Sequence, residues 1–231
     1  MEEIHRLLTA ALTDQLGDAE LASDLASRVM DVGLLWTSPT IAAREIDHIV
    51  AYAFGNRPRT GPPASASAKL TDRLEFPGPI NELLADAIFA LLQIKPVTVF
   101  AQWEIAHYLT LKHGLHDVVS IEPSVGRAGD LIYLSTEGVA RAVIGAAGGD
   151  ALSLGTVAIV AHRDHAKRCV QISRAVGMNA YVAEEVALPV VYDPLSGQTW
   201  TRRRQIYLLH DMCAQLMAHR AQSIADAFPG G

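Results

Sequence analysis

Cysteine is scarce in this chain: two among 231 residues, Cys169 and Cys213, with no Cys-x-x-Cys pair. That excludes a disulfide framework. Aromatic residues make up only 6% while half of the chain is apolar. Alanine is plentiful, which suits helices packed closely on a sheet. No apolar run is long enough to span a bilayer. The amino-terminal MEEIHRLL is acidic and amphipathic, unlike a secretion signal. A cytoplasmic protein without membrane insertion is the expectation. The net charge of −6 argues against a nucleic-acid-binding surface. Arg202, Arg203 and Arg204 beside Trp200 read instead as the solvated basic start of a helix.

Catalytic signatures are also missing. There is no G-x-G-x-x-G or P-loop, no G-x-S-x-G elbow and no H-E-x-x-H. Two His-x-x-His pairs exist, His113/His116 and His162/His165. Gly114 breaks the first, and His162 ends a strand, so neither pair shares a helix face. No metal site is expected from these spacings.

What is present is an alternation of strands and helices. Apolar residues at helical spacing predict helices over 2–16 and about 19–31, divided by Gly17-Asp18. Residues 33–47 read as a further short helix, with Pro39 in its first turn. Strands are predicted at 47–54, 97–101, 117–121 and 156–161, with one or two more in 179–192. Helices are predicted at 80–93, 103–113, about 135–147, 164–176 and 199–226. Loops fall at 55–77 and 122–130, and one as long as the first is usually functional or mobile. The strands are short and apolar without polar alternation, which argues for an α/β fold whose mostly parallel sheet is covered by helices on both faces. An amino-terminal helical segment (1–46) and an α/β domain with a long carboxyl-terminal helix (47–231) are the expected parts.

Ligand sites in such folds lie at the carboxyl ends of the strands. The stretch 156–177 is the strongest candidate: a buried strand turning directly into a helix. Along that helix His165, Arg168, Cys169, Ile172 and Val176 form one stripe. Its lower part is apolar and should face the sheet, which turns His165 and Arg168 over the carboxyl edge. Arg168 suits a phosphate or carboxylate, and His165 can donate to an anion or move a proton. The alternative is that Arg168 pairs with an acidic residue and His165 caps the turn. The first strand exits into Gly55, Asn56 and Arg57, where glycine admits a close approach and arginine supplies charge. Arg59, further along, reads equally as part of a solvated loop. Glu104 and Glu122 follow the next two strands. Each is placed to bind a hydroxyl or amine, or simply to cap a helix start; Trp103 can stack on a flat ring or pack on a neighbour.

Strand 156–161 followed by His165, Arg168 and Gly177 resembles the strand–xxxxHxxRA–helix–G motif of the YdcF/SanA/ElyC-like family of bacterial proteins, with Cys169 where alanine is usual. Tyr192-Asp193-Pro194, Gln198, Trp200, Thr201-Arg202 and Arg204 resemble the tail of its YdcF branch. The likeness covers roughly residues 47–215. The chain departs from the pattern at Ala101-Gln102-Trp103, where Ser-Gly-Gly is usual, and in keeping only Gly55 of a Gly-rich turn. Thr136, Glu137 and Ala140 are its nearest matches to the family's Thr-x-Glu-Asn-Ala. The resemblance implies a Rossmann-like three-layer domain, a cytoplasmic location, Thr136 and Glu137 as further ligand contacts, and S-adenosylmethionine as a cofactor.

Three functions stay open at this point. One is binding of an anionic small molecule, nucleotide-like or phosphorylated. Another is hydrolysis or group transfer on a phosphorylated or cell-envelope precursor, with His165 as acid/base and Arg168 as charge stabiliser. The third is a non-catalytic scaffold acting through its terminal helices, with a homodimer among the assemblies expected.

Overall fold

The structure is a computed structural model that describes residues 1–59, 74–126 and 131–229. Contacts divide the chain into two compact units, Met1–Thr37 with Leu208–Gly231, and Ser38–Tyr207. In the first, helices α1 (Glu2–Leu16) and α2 (Ala19–Leu34) form the expected hairpin, and the Asp18 side chain caps α2 by accepting from Leu21 N–H at 3.0 Å. His5 Nε2 lies 3.0 Å from Ser27 Oγ, tying the two helices together.

The second unit holds a six-stranded sheet: β1 (Thr40–Ile41), β2 (His48–Ala51), β3 (Thr98–Gln102), β4 (Val119–Ile121), β7 (Thr156–Val160) and β8 (Asn179–Ala183). Its order is β1-β8-β7-β2-β3-β4, and every pairing is parallel. A separate antiparallel ribbon joins β5 (Ser124–Val125) to β6 (Leu131–Ile132). Helices α3 (Pro79–Ile94), α4 (Trp103–His113), α5 (Thr136–Ala146) and α6 (Arg163–Ala175) cross between strands, and α7 (Arg204–Ala227) begins here and continues into the first unit.

The alternation of side chains along the central strands makes two cores. Ile49, Ala51, Val99, Ala101, Ala158 and Val160 face α3 and α4, where Leu84, Ile88, Ile105 and Leu109 cover them. Val50, Phe100, Val157 and Ile159 face the other way, under Val139 and Val143 of α5 and Cys169 and Val170 of α6. Both faces are therefore apolar, as the unalternating strands require. This is a Rossmann-like α/β arrangement. Among the described residues no helix is long and apolar enough to cross a membrane.

Two expectations need correction. The helix expected within 33–47 is instead β1 followed by one 3-10 turn, Ala43–Glu45. Pro39 and Ile41 carbonyls accept from Val182 and Glu184 N–H, both at 3.0 Å, and Glu185 accepts from Ala43 N–H at 2.8 Å. Partners some 142 positions away thus override the local signal. In 179–192, where one or two strands are expected, β8 is the strand that forms. The terminal helix is preceded by a separate 3-10 turn, Thr199–Thr201. Residues 60–73 and 127–130 of the two long loops lie outside the described residues.

Candidate functional site

From β2 the chain moves to β3 and β4 on one side, then returns to β7 and β8 on the other. The strand order therefore reverses between β2 and β7, and their carboxyl ends lie side by side at the usual ligand position in open parallel sheets.

The exit of β2 is held by side chains from neighbouring elements. Ala53 N–H donates to Gln102 Oε1 at 2.8 Å, and Phe54 N–H to Asn81 Oδ1 at 2.9 Å. Asn81 Nδ2 donates back to the Gly55 carbonyl at 2.7 Å. Gly55 has φ of +72°, and a Cβ there would lie 2.8 Å from both Ser196 Oγ and Thr201 Oγ1. The Asn56 carbonyl accepts from Gly197 N–H at 2.7 Å and Ser196 Oγ at 3.2 Å. Arg57 donates to both Asp193 oxygens, at 2.7 and 3.1 Å. The close approach that Gly55 permits is thus made by the chain's own segment 193–201. Gly55→Ala should cost at least about 2 kcal/mol, from the left-handed backbone and the displaced hydroxyls together. Urea unfolding checks this; an unchanged midpoint would count against the packing described.

At the exit of β7, His162 stacks on Phe54 with ring centroids 4.0 Å apart. Its Nδ1 accepts from Asp164 N–H at 3.2 Å, so Nε2 carries the hydrogen and donates to the Val191 carbonyl at 3.1 Å. Burial pushes its pKa down to about 4, against the pull of Asp164, so the imidazole is neutral and serves the packing. Asp164 is the hub of this edge. Its carboxylate accepts from Arg204 at 2.8 and 3.3 Å, from Arg163 at 3.1 Å and from Tyr192 OH at 2.7 Å. Burial alone would raise its pKa, but Arg204, Tyr192 and Arg163 outweigh burial and hold it below the ordinary carboxylate value.

Next along α6 come His165 and, about one turn beyond Asp164, Arg168. His165 is 6% exposed, with its ring centroid 6.0 Å from Tyr207, 6.4 Å from Phe54 and 6.5 Å from Tyr52. Arg168 donates to Thr136 Oγ1 at 2.9 Å and to Tyr207 OH at 3.3 Å. The stripe behaves as its spacing requires: Cys169 is buried in the core and the two polar residues stand at the edge above it. His165, Arg168 and Thr136 are brought together. Glu137 is not; it is exposed on α5 and pairs with Arg141 at 2.8 Å.

The two glutamates part company. Glu122 is exposed and accepts from Ser120 Oγ at 2.7 Å. Glu104, in the first turn of α4, is 2% exposed, and its Oε2 has no hydrogen-bond partner among the described residues. Burial, reinforced by the Glu122 charge, pushes its pKa up to about 8. Beside Glu122 a groove of about 670 Å³ lies between the segment 74–77, α4 and the edge strand, walled by Phe76, Trp103, His107, Leu111, Val118 and Glu122.

Two positions that shape this edge escape a reading of the sequence. Tyr207 orients Arg168 but sits inside what reads as a plain terminal helix. Asn81 secures the β2 turn, and its signal is visible afterwards: a polar residue, 0% exposed, beside the buried positions Ile80, Leu84 and Ala85 of α3. Among the described residues no group of three or more His, Cys, Asp or Glu side chains could hold a metal ion. No family model, curated protein or solved structure matches the chain.

Proposed function

We propose that the chain binds a small anionic ligand, nucleotide-like or phosphorylated, at the carboxyl edge of its sheet, with Arg168 and His165 as the anion subsite. One observation carries this reading. The Arg168 guanidinium, which counts the hydroxyls of Thr136 and Tyr207 among its partners, stands beside a buried imidazole at the edge of a parallel sheet. A guanidinium presents a planar fork that suits the paired acceptors of a phosphate or carboxylate. The likeness to YdcF/SanA/ElyC-like proteins makes S-adenosylmethionine the first ligand to test and favours a cytoplasmic setting. The same pair also suits hydrolysis or group transfer on a phosphorylated precursor, with His165 moving the proton and Arg168 stabilising developing charge.

Thermal unfolding with S-adenosylmethionine tests the reading. At a hundredfold excess over the dissociation constant, a ligand specific to the folded state adds about 2.7 kcal/mol. Arg168→Ala should abolish that gain. An undiminished shift in the variant would remove Arg168 from the site.

A further inference from the structure

The terminal helix carries its apolar residues on the outer side. Within the first unit, the inner face of α7 holds Asp211 and Gln215, both buried and joined by a 2.8 Å hydrogen bond. His219, one turn on, stands 3.7 Å from Asp31 of α2. The opposite face carries Leu209, Cys213, Leu216, Met217 and Ile224, all exposed. Leu209 and Met217 are 66% and 59% exposed. Steps of three, four and seven residues place these side chains on one stripe. A surface helix ordinarily shows the reverse, apolar inside and polar outside. The unit also has little core of its own. Among the described residues α1 contributes no buried side chain, and α2 buries Ala22, Ala26, Met30 and Val32. So small a core gains stability by burying further apolar surface against a partner.

We infer that this stripe is a homodimer seam, on which α7 of a second copy packs antiparallel. The inference does not depend on the ligand reading above. From Leu209 to Ala218 the exposed positions of α7 carry no carboxylate, lysine or arginine, so like faces meet without repulsion. The exposed parts of the stripe come to roughly 500 Å² per protomer, and two copies bury on the order of 1,000 Å², the least that a stable interface needs. The net charge of −6 makes an anionic lipid surface a poorer occupant. Arg220, the one charge within the stripe, sets the direction. In a parallel pair it would face its own copy across the two-fold axis. In an antiparallel pair centred between Leu216 and Met217 it faces Cys213 instead. Leu209 then faces Ile224, and Leu216 faces Met217. Each protomer gives the same patch, as an isologous contact requires.

Sedimentation equilibrium of the full chain, from about 1 to about 200 µM, tests this. A dimer with a dissociation constant of about 10 µM or tighter is expected. Leu216→Glu, at an exposed position, should weaken it at least about 100-fold. Leu152→Glu, exposed on the second unit, should leave it unchanged. Mild oxidation reads the direction. Arg220→Cys should join to the partner's Cys213 as a covalent dimer, Cys169 being buried. The wild-type chain should not cross-link, because its two Cys213 side chains are offset by about 10 Å along the helix axis. A chain that stays monomeric at the highest concentration overturns the inference, as does a dimer that Leu216→Glu leaves intact. A monomer that co-sediments with phosphatidylcholine vesicles gives the stripe to a lipid surface and overturns it too. A disulfide-linked wild-type dimer overturns the antiparallel pairing.

Discussion

Above pH 8, Glu104→Gln is expected to unfold at a higher temperature than the wild type. The sign follows from linkage. The folded protein holds the Glu104 proton up to about pH 8, whereas the unfolded chain releases it near the ordinary value of 4.5. Between those limits the folded state binds more protons, so wild-type stability falls as pH rises and levels off above pH 8. Glutamine keeps the shape and one acceptor but has no charge to bury. The difference between the two proteins should be smallest near pH 4.5 and reach on the order of 4 kcal/mol above pH 8. For a chain of this length that corresponds to roughly 10 °C. Scanning calorimetry from pH 5 to 9 is the measurement. Glu122→Gln, at an exposed position, is the control and should stay within about 0.5 kcal/mol throughout. Parallel curves for Glu104→Gln and wild type would mean that the carboxyl does not hold its proton.

The second large effect is expected at Asp164. Its carboxylate gathers Arg204, Arg163 and Tyr192 from three places in the chain. Removing one partner of a buried ion pair usually costs 3–5 kcal/mol. The Arg204 side chain is half exposed and can return its charge to water, which puts Asp164→Ala at the lower end, about 3 kcal/mol at pH 7. The pH dependence runs opposite to that of Glu104. Asp164 is held below its ordinary 3.8, so its contribution is complete above that value and is lost as pH falls through the folded pKa. Urea unfolding at pH 7 and again near pH 3 should show the gap between wild type and variant narrowing in acid. A gap equally wide at both would show that the ion pairs are not its source.

The alternation of strands and helices was legible because each central strand is apolar on both sides, a pattern that only a sheet covered on two faces tolerates. The stripe from His165 to Val176 was legible for a related reason: three- and four-residue spacing fixes which side chains share a face whatever surrounds them. What local reading missed depends on distant chain. Gly55, Asn56 and Arg57 look like a ligand loop, but the residues that fill the space over them are Asp193, Ser196 and Thr201. β1 looks like a helix start because Pro39 follows Ser38, and it becomes a strand through donors on β8 and just beyond it. Glu104 and Glu122 look alike in sequence. Strand order separates them: Glu104 follows an interior strand and Glu122 the edge strand.

That strand order also governs how the molecule comes into being on the ribosome. β2 pairs with β3, which closely follows it, but its other neighbour is β7; the bond from Thr156 N–H to Asp47 spans 109 positions. While the intervening chain is made, Ile49, Val50 and Ala51 form a bare hydrophobic edge in mid-sheet, open to pairing with other nascent chains. The turn at Asn56 waits longer still, since Ser196 reaches it from 140 positions away. The nascent protein is therefore most exposed to aggregation before residue 160 has emerged, and the carboxyl edge of its sheet is among the last parts to be completed.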